Sequence, residues 1–486
     1  MLCIWRSRRG IVLVLGCLTV CASAFADTIV LKNGRRIAAL SVTQAGNKIS
    51  YETPSGTLTL PRSIVDHIER GGVPTVEASA GVARLSLKPP ETEPAAADLP
   101  PNRSEIEKRV VQGSEVDRNY LADLETEARS GKAVANQNAA LAHHAASQFE
   151  LAHGDMELAL ADERSALAYA PEQPVFLMNT AYIHLRRSEF TQSLEYLEHA
   201  RRLVPEDPEV SKLFGWAYYG LNKLDQAVVE WKHAASLRQD AEVEAALKKA
   251  ERDKLEEAKY KENESVHFML RYSGAAEPAM ARDILRTLER HYETIETELS
   301  YSPPDSIGVI LYTHQAFADI TQAPNWVGAL NDGRIRVPVQ GLSEVTPELS
   351  RVLRHELTHS FIQQKTLGHA PTWIHEGLAQ WMEGKRSDAM AQMLERMYAA
   401  DPQLSVTHYE GEWMKFSPEA AAAAYAWALA NVEYLVRSGG MADIDRILDR
   451  IAAGESAESA LRAVMHCDYA DFSHDTVGYL QKTYRN

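Results

Sequence analysis

"VLRHELTHSF", residues 352–361, carries His355 and His359 four positions apart with Glu356 directly after the first. On a helix, four residues return to within about 40° of the same direction, one turn along. Both imidazoles then leave one face and can reach a single metal ion at about 2.0–2.1 Å. Glu356 stands one step round, too far aside to be the natural third ligand of that turn but placed to touch a water on the ion. Leu357 faces away and Phe361 continues an apolar side that sets the helix against a core. Thr346 as N-cap, Pro347 at the first helical position and Gly368 as C-cap bound this helix. The five-residue pattern also arises by chance in long chains, so its neighbours decide its meaning.

A catalytic zinc wants three protein ligands and an open position. Downstream, "PTWIHEGLAQW" (residues 371–381) restarts the chain into a second helix. Two antiparallel helices joined through Gly368–Pro371 bring Glu376 opposite the histidine pair. Gly377 permits close helix approach, and Trp373, Leu378 and Trp381 pack around it. His375 is the rival third ligand; adjacent helical residues point about 100° apart, so only one of His375 and Glu376 can coordinate. His369, beside Gly368, reads as a solvated loop residue, and Trp326 and Trp381 read as packing residues rather than substrate anchors.

Together, "RHELTHSFI" and "APTWIHEGLAQW" resemble the gluzincin zinc metallopeptidases, and most closely the bacterial peptidase MA-like families, over about residues 264–440. That resemblance implies Zn2+ held by His355, His359 and Glu376, with Glu356 as general base. It favours Glu376 over His375. Gln380 departs from the pattern, since many relatives carry Glu there, but that position is not a ligand. A downstream Tyr or His stabilises an oxyanion in related zincins; Tyr425 has that role or an ordinary packing one. "DGRIRVP" precedes the helix as a strand, and Arg334–Val337 is expected to pair with an extended peptide as far as Pro338, which has no N–H to donate.

Further upstream the chain is helical and repetitive. "PEQP" at Pro171 and "PEDP" at Pro205 are 34 residues apart, the tetratricopeptide period. Phe214, Gly215, Tyr218, Ala227, Trp231 and Ala234 alternate large and small as that repeat does, and Leu177, Ala181, Leu197 and Ala200 match in the unit before, with His184 and Ser193 as departures. Three such repeats are expected over 140–241. Such arrays bind peptides or partner proteins on a curved surface, or serve as spacers. Residues 105–139 read as a helical connector, and 71–104, with "KPPETEPAAADLPP", as a linker too poor in apolar side chains to repay ordering. Residues 27–70 read as a small β-rich domain, with hairpin signals at Asn33-Gly34 and Pro54-Ser55-Gly56. After 264–386, the expected zincin-like core, residues 387–486 read as helical.

The first 26 residues differ from the rest. Arg6, Arg8 and Arg9 precede the apolar run Ile11–Val20, and Ala24-Phe25-Ala26 fits a cleavage site. The expectation is a secretory signal cut after Ala26 and a periplasmic or secreted protein. A lipoprotein signal is the weaker alternative, because Val20 before Cys21 is bulky. Of four cysteines only Cys467 follows Ala26, so no intrachain disulfide can form in the processed chain. At 45% hydrophobic and 24% charged residues the composition suits soluble globular domains, and 486 residues suffice for several. A formal net charge of −16 argues against nucleic acid as a partner.

The expected fold class is therefore multidomain and mostly α: a small N-terminal β domain, a tetratricopeptide solenoid, and an α+β zincin-like domain with a helical C-terminal part. Two functions compete. One is an exported zinc peptidase whose repeats recruit substrate or a partner protein. The other is a scaffold that binds through its repeats and has lost catalysis, for which Glu356 would have no chemical use.

Overall fold

The computed structural model describes residues 26–32, 36–39, 41–46, 48–53, 56–72, 78–80, 87–92, 102–113, 115–273, 278–312, 327–331, 333–339, 344–401, 404–409 and 418–484. The signal stretch up to Phe25, the turn residues Asn33-Gly34 and Pro54-Ser55, and Trp326 lie outside them. The chain divides into two compact units, Met1–Thr75 and Val76–Asn486. It is mostly helical, with small sheets.

In the first unit, β1 (Ala26–Leu31), β2 (Arg36–Ala39) and β6 (Val65–Gly72) form one antiparallel sheet in the order β2-β1-β6. β3 (Ser41–Ala45), β4 (Lys48–Thr53) and β5 (Gly56–Pro61) form another in sequential order. Its core is slight, with Ile29, Val42, Ile49 and Val65 buried together. They are β-branched residues, suited to a pleated, half-covered surface.

The second unit opens with β7 (Ala78–Ala80), α1 (Arg103–Val110), a two-stranded ribbon of β8 (Val111–Gln112) and β9 (Glu115–Val116), and α2 (Arg118–Ala128). Three helix pairs follow: α3 (Ala133–His153) with α4 (Met156–Tyr169), α5 (Pro174–Arg186) with α6 (Phe190–Leu203), and α7 (Pro208–Gly220) with α8 (Leu224–Leu237). α5 and α7 both begin on a proline, 34 residues apart. Their pairing is close where small residues meet large ones: a β-carbon on Gly215 would fall 2.3 Å from Trp231 Nε1. Part of the proline-rich stretch before these helices is ordered upon them. Leu87 is buried in their core, and Thr92 donates to Asp207 Oδ2 at 3.0 Å.

α9 (Ala241–Glu257) leads from the helix pairs to a six-stranded sheet of β10 (Lys261–Glu264), β11 (Phe268–Tyr272), β12 (Ile307–Tyr312), β14 (Ile335–Pro338), β13 (Val327–Asn331) and β7, in that spatial order. β11 and β12 run parallel, joined by α10 (Pro278–Leu299). α10 buries Ile284, Leu288, Tyr292, Ile295 and Leu299, a three-to-four-residue stripe. β14 lies between β12 and β13, so neither of its edges is open to a peptide, contrary to the sequence expectation for Arg334–Val337. Local alternation does not distinguish an inner strand from an outer one. The outer edge of β13 pairs with β7.

On one face of this sheet Val309, Leu311, Ile335 and Val337 join a core with α10 and the helices that follow. Those helices are α11 (Pro347–Lys365), α12 (Thr372–Met382), α13 (Ala391–Ala400), α14 (Pro418–Gly439), α15 (Met441–Ala452), α16 (Ala457–Met465) and α17 (Tyr469–Tyr484). The same core continues from Phe268 to Phe472, so no break in packing falls at the expected boundary near residue 387.

The period of two sends Arg334 and Arg336 to the opposite face, against α9. Both are fully buried. Arg334 grips Glu257 with both oxygens at 2.7 Å, and Arg336 meets Asp253 Oδ2 at 2.7 Å. Tyr312 donates to Glu257 at 3.0 Å, and Tyr219 of α7 donates to Asp253 at 3.0 Å. Desolvation works against the Arg334 guanidinium, but Glu257 and Asp253 outweigh it and hold the charge on. Breaking one half of such a buried pair typically costs about 3–5 kcal/mol, whereas apolar replacement of the whole pair can be nearly neutral. Arg336→Ala should therefore lower stability by about 3–5 kcal/mol, and Arg336→Met combined with Asp253→Leu by much less. Urea unfolding followed by helical signal tests the contrast, and equal losses would show that the charges are not what matters.

Candidate metal centre

α11 begins where the sequence places it. The Thr346 hydroxyl accepts from Leu349 N at 3.1 Å, and Pro347 is the first helical residue. It ends through Leu367 and Gly368, both at positive φ, with Gly368 N donating to Gln363 O at 2.8 Å. Leu353, Leu357 and Phe361 bury in the core, and Phe361 meets Tyr292 edge-on with ring centroids 4.9 Å apart. That apolar stripe fixes the rotation of the helix, which turns His355 and His359 toward α12. Asn331, the last residue of β13, fixes it again: its side chain donates to Glu356 O at 2.8 Å and Ser360 Oγ at 2.7 Å.

His355, Glu356 and His359 are all buried, as is Glu376 on α12. His355 Nε2 lies 3.5 Å and His359 Nε2 3.6 Å from the same oxygen, Glu376 Oε2. One ligand atom from each of His355, His359 and Glu376 falls within 4.8 Å of the others. Among the described residues, the two imidazole nitrogens and both Glu376 oxygens make no close hydrogen bond. Orphaning buried polar atoms costs about 1–3 kcal/mol each, more for a charged group, unless something else satisfies them. Two ligands at 2.0–2.1 Å from one tetrahedral ion stand about 3.4 Å apart, close to the separations here. Two nitrogens and a carboxylate oxygen, convergent and unsatisfied, fit a divalent ion with a position left open.

His375 takes no part in this convergence. Its ring lies 5.6 Å from that of His359, on the neighbouring face of α12. His369 is half-buried against Gly154, in the turn between α3 and α4, rather than solvated. Trp373 is buried beside Phe472, and Trp381 is covered by Arg386 at 3.6 Å from its ring centre, so both pack as expected.

α14 forms the floor of the site. A β-carbon on Gly377 would sit 2.4 Å from Ala428 O, so the close approach that this glycine allows is to α14. Gln380 stitches the two helices together, donating to Glu376 O at 3.0 Å and Tyr425 O at 2.9 Å. Tyr425 is buried here, and its phenol is pushed well above the usual tyrosine range by burial first, then by the Glu376 and Glu356 carboxylates.

Two contributors escaped the sequence. Asn331 is one. The other is Glu383, whose Oε1 lies 3.3 Å from His355 Nδ1 and 2.8 Å from Lys385 Nζ. Its signal was spacing: seven residues beyond Glu376 is two turns along the same face. Burial disfavours charge on His355, but Glu383 and Glu376 overcome it and push its pKa up to about 10. Burial, then His355 and His375, keep His359 well below the usual imidazole range, which favours the neutral ring with a lone pair on one nitrogen. Burial raises the Glu376 carboxyl, with His355 pulling the other way.

Residues 303–482 match the family model described as the Peptidase MA superfamily, which supports a metallopeptidase domain of the MA type in this part of the chain. The match spans β12, β13, β14 and every helix from α11 onward apart from the last residues of α17. No curated protein matches the chain.

Gly377→Ala isolates the role of α14. Within a helix this change ordinarily gains about 1 kcal/mol of propensity. Against Ala428 O, overpacking should instead cost about 1–3 kcal/mol and shift Glu376 away from the histidines. A melt combined with chelator competition should show loss of both stability and metal affinity, and a stabilised variant with unchanged affinity would refute the contact.

Proposed function

We propose that the protein is a zinc-dependent peptidase in which His355, His359 and Glu376 hold the ion and Glu356 is the general base. The convergence of three unsatisfied buried donors beside Glu356, within the stretch that matches the Peptidase MA superfamily, carries this reading. Zinc in that position would supply Lewis acidity toward the scissile carbonyl and bring the pKa of water to about 7.

The remaining work falls to side chains of this chain. Glu356 accepts a proton from the attacking water and returns it to the leaving amine. Asn331 holds the Glu356 backbone, so that carboxylate works from a fixed base. The Tyr425 hydroxyl, kept protonated by its surroundings, is the donor to the oxygen that becomes negative as the carbonyl is attacked. Burial of these side chains strengthens each of these interactions.

In the same proposal, the helix pairs α3/α4, α5/α6 and α7/α8 are tetratricopeptide repeats that present a protein partner or the substrate to this site. Their support is the 34-residue offset of α5 and α7 and the small-against-large contact of Gly215 with Trp231. The charged, then apolar, then Ala-Phe-Ala pattern of the first 26 residues supports export, with work done in the periplasm or outside the cell. Among the described residues no helix is long and apolar enough to cross a membrane.

Purified protein should contain about one zinc per chain. Glu356→Gln should keep that zinc while cleavage of a peptide library falls by about 10²–10⁴-fold. Intact cleavage by Glu356→Gln would remove the base assignment. Absence of both zinc and cleavage in the unaltered protein would leave the scaffold reading.

A further inference from the structure

Glu383 stands at the C-terminal end of α12 with only 6% of its surface exposed. Its Oε1 faces two partners, His355 Nδ1 at 3.3 Å and Lys385 Nζ at 2.8 Å. The ammonium alone does not account for the placement. Lys385 keeps about a third of its side chain in solvent. A partly exposed pair of this kind is worth about 0–1 kcal/mol, while withdrawing a carboxylate from water costs several. The geometry has its use at the imidazole. A carboxylate can only accept, so the ring nitrogen facing it must carry the proton. Nε2, the nitrogen aimed at Glu376 and His359, is then the one that gives up its proton to an incoming ion.

The two histidines are unequal in this respect. His359 Nδ1 is also buried, yet among the described residues it has no hydrogen-bond partner. One ligand of the pair is thus held in register by a dedicated carboxylate, and among the described residues the other has no such partner on its Nδ1.

We propose that Glu383 is the positioning residue of the metal centre: it accepts the Nδ1–H of His355, locks that ring in the tautomer and orientation that present Nε2, and thereby sets how tightly the three donors retain their ion. The identity of the ion rests on the peptidase reading above, but the lock on the ring does not. Partners of this kind typically change metal affinity by about 10–100-fold when removed.

The experiment uses the full chain with 15N-labelled histidine, first metal-free and then titrated with zinc against a competing chelator. In the unaltered protein His355 Nδ1 should carry its proton in both the metal-free and the zinc-loaded state. Glu383→Leu, which removes the acceptor, should lose that signature and bind zinc about 10–100-fold more weakly. Glu383→Gln keeps a carbonyl acceptor and should restore the tautomer and most of the affinity. Lys385→Met should leave both close to the unaltered protein. If Glu383→Leu does not fold, Glu383→Asp, one methylene short of the ring, should still show the loss. The proposal is overturned if the tautomer and zinc affinity survive in a folded Glu383→Leu or Glu383→Asp, or if Lys385→Met reproduces the whole effect. Should the unaltered protein bind no zinc while the tautomer still depends on Glu383, the metal reading fails and the lock stands. Tight zinc binding that is indifferent to Glu383 means the opposite: the lock fails and the metal reading stands.

Discussion

The helix that carries the histidines takes part of its orientation from two arginines neutralised beneath the sheet. Arg334 and Arg336 sit on the face that a plain alternating strand would leave to water, yet α9 covers them. Burying two guanidinium groups is tolerable because Asp253 and Glu257 enter with them, and because Tyr219 and Tyr312 add hydrogen bonds to the cluster. Such an arrangement has little freedom. A shift of α9 along the sheet would strand charges in a low-dielectric interior, so α9, β12 and β14 are held in one register. From β14 the constraint passes to β13, and from β13 through Asn331 into the backbone of Glu356. The helix that carries the histidines thus receives its orientation from the polar face of the sheet as well as from its apolar face.

The centre itself joins opposite physical demands. Its carboxylates and imidazoles are sealed from solvent, which is costly for each alone. Their mutual spacing is too long for good hydrogen bonds and suits atoms that share one small cation. Helix α12 supplies both the Glu376 that completes the donor set and the Glu383 that orients one of its members, because a seven-residue step returns to the same face.

Much of this was legible along the chain. The four-residue spacing of His355 and His359, the cap at Thr346-Pro347 and the stop at Gly368 are local facts, and helix geometry converts them directly into position. Glu376 was legible because a short loop leaves few ways to return a second helix past the first. Asn331 was not, because it acts on a residue 25 positions away through strand pairing that no local period encodes, and Glu383 showed only a seven-residue spacing from Glu376 that does not say which imidazole it meets. The strand at Arg334–Val337 was legible as a strand and misread as an edge, since its neighbours come from distant segments. Leu87 hides in a stretch whose composition speaks of solvent, because one apolar side chain suffices to anchor where a ready surface exists.

The contact between Gly377 and Ala428, and the ties from Gln380 to Tyr425, mean that α12 is seated only when α14 is present. A chain emerging from the ribosome therefore reaches the histidine helix well before it possesses the floor on which the third donor rests. The helix pairs and the sheet have their own residues in hand by then, whereas the donor set stays open until synthesis has passed about residue 432, where Val432 completes the pocket around Gly377. The seat of the third donor is thus supplied by a part of the chain some fifty residues beyond it, and a chain cut short of α14 would carry α11 and α12 without the surface that sets Glu376 against the histidines.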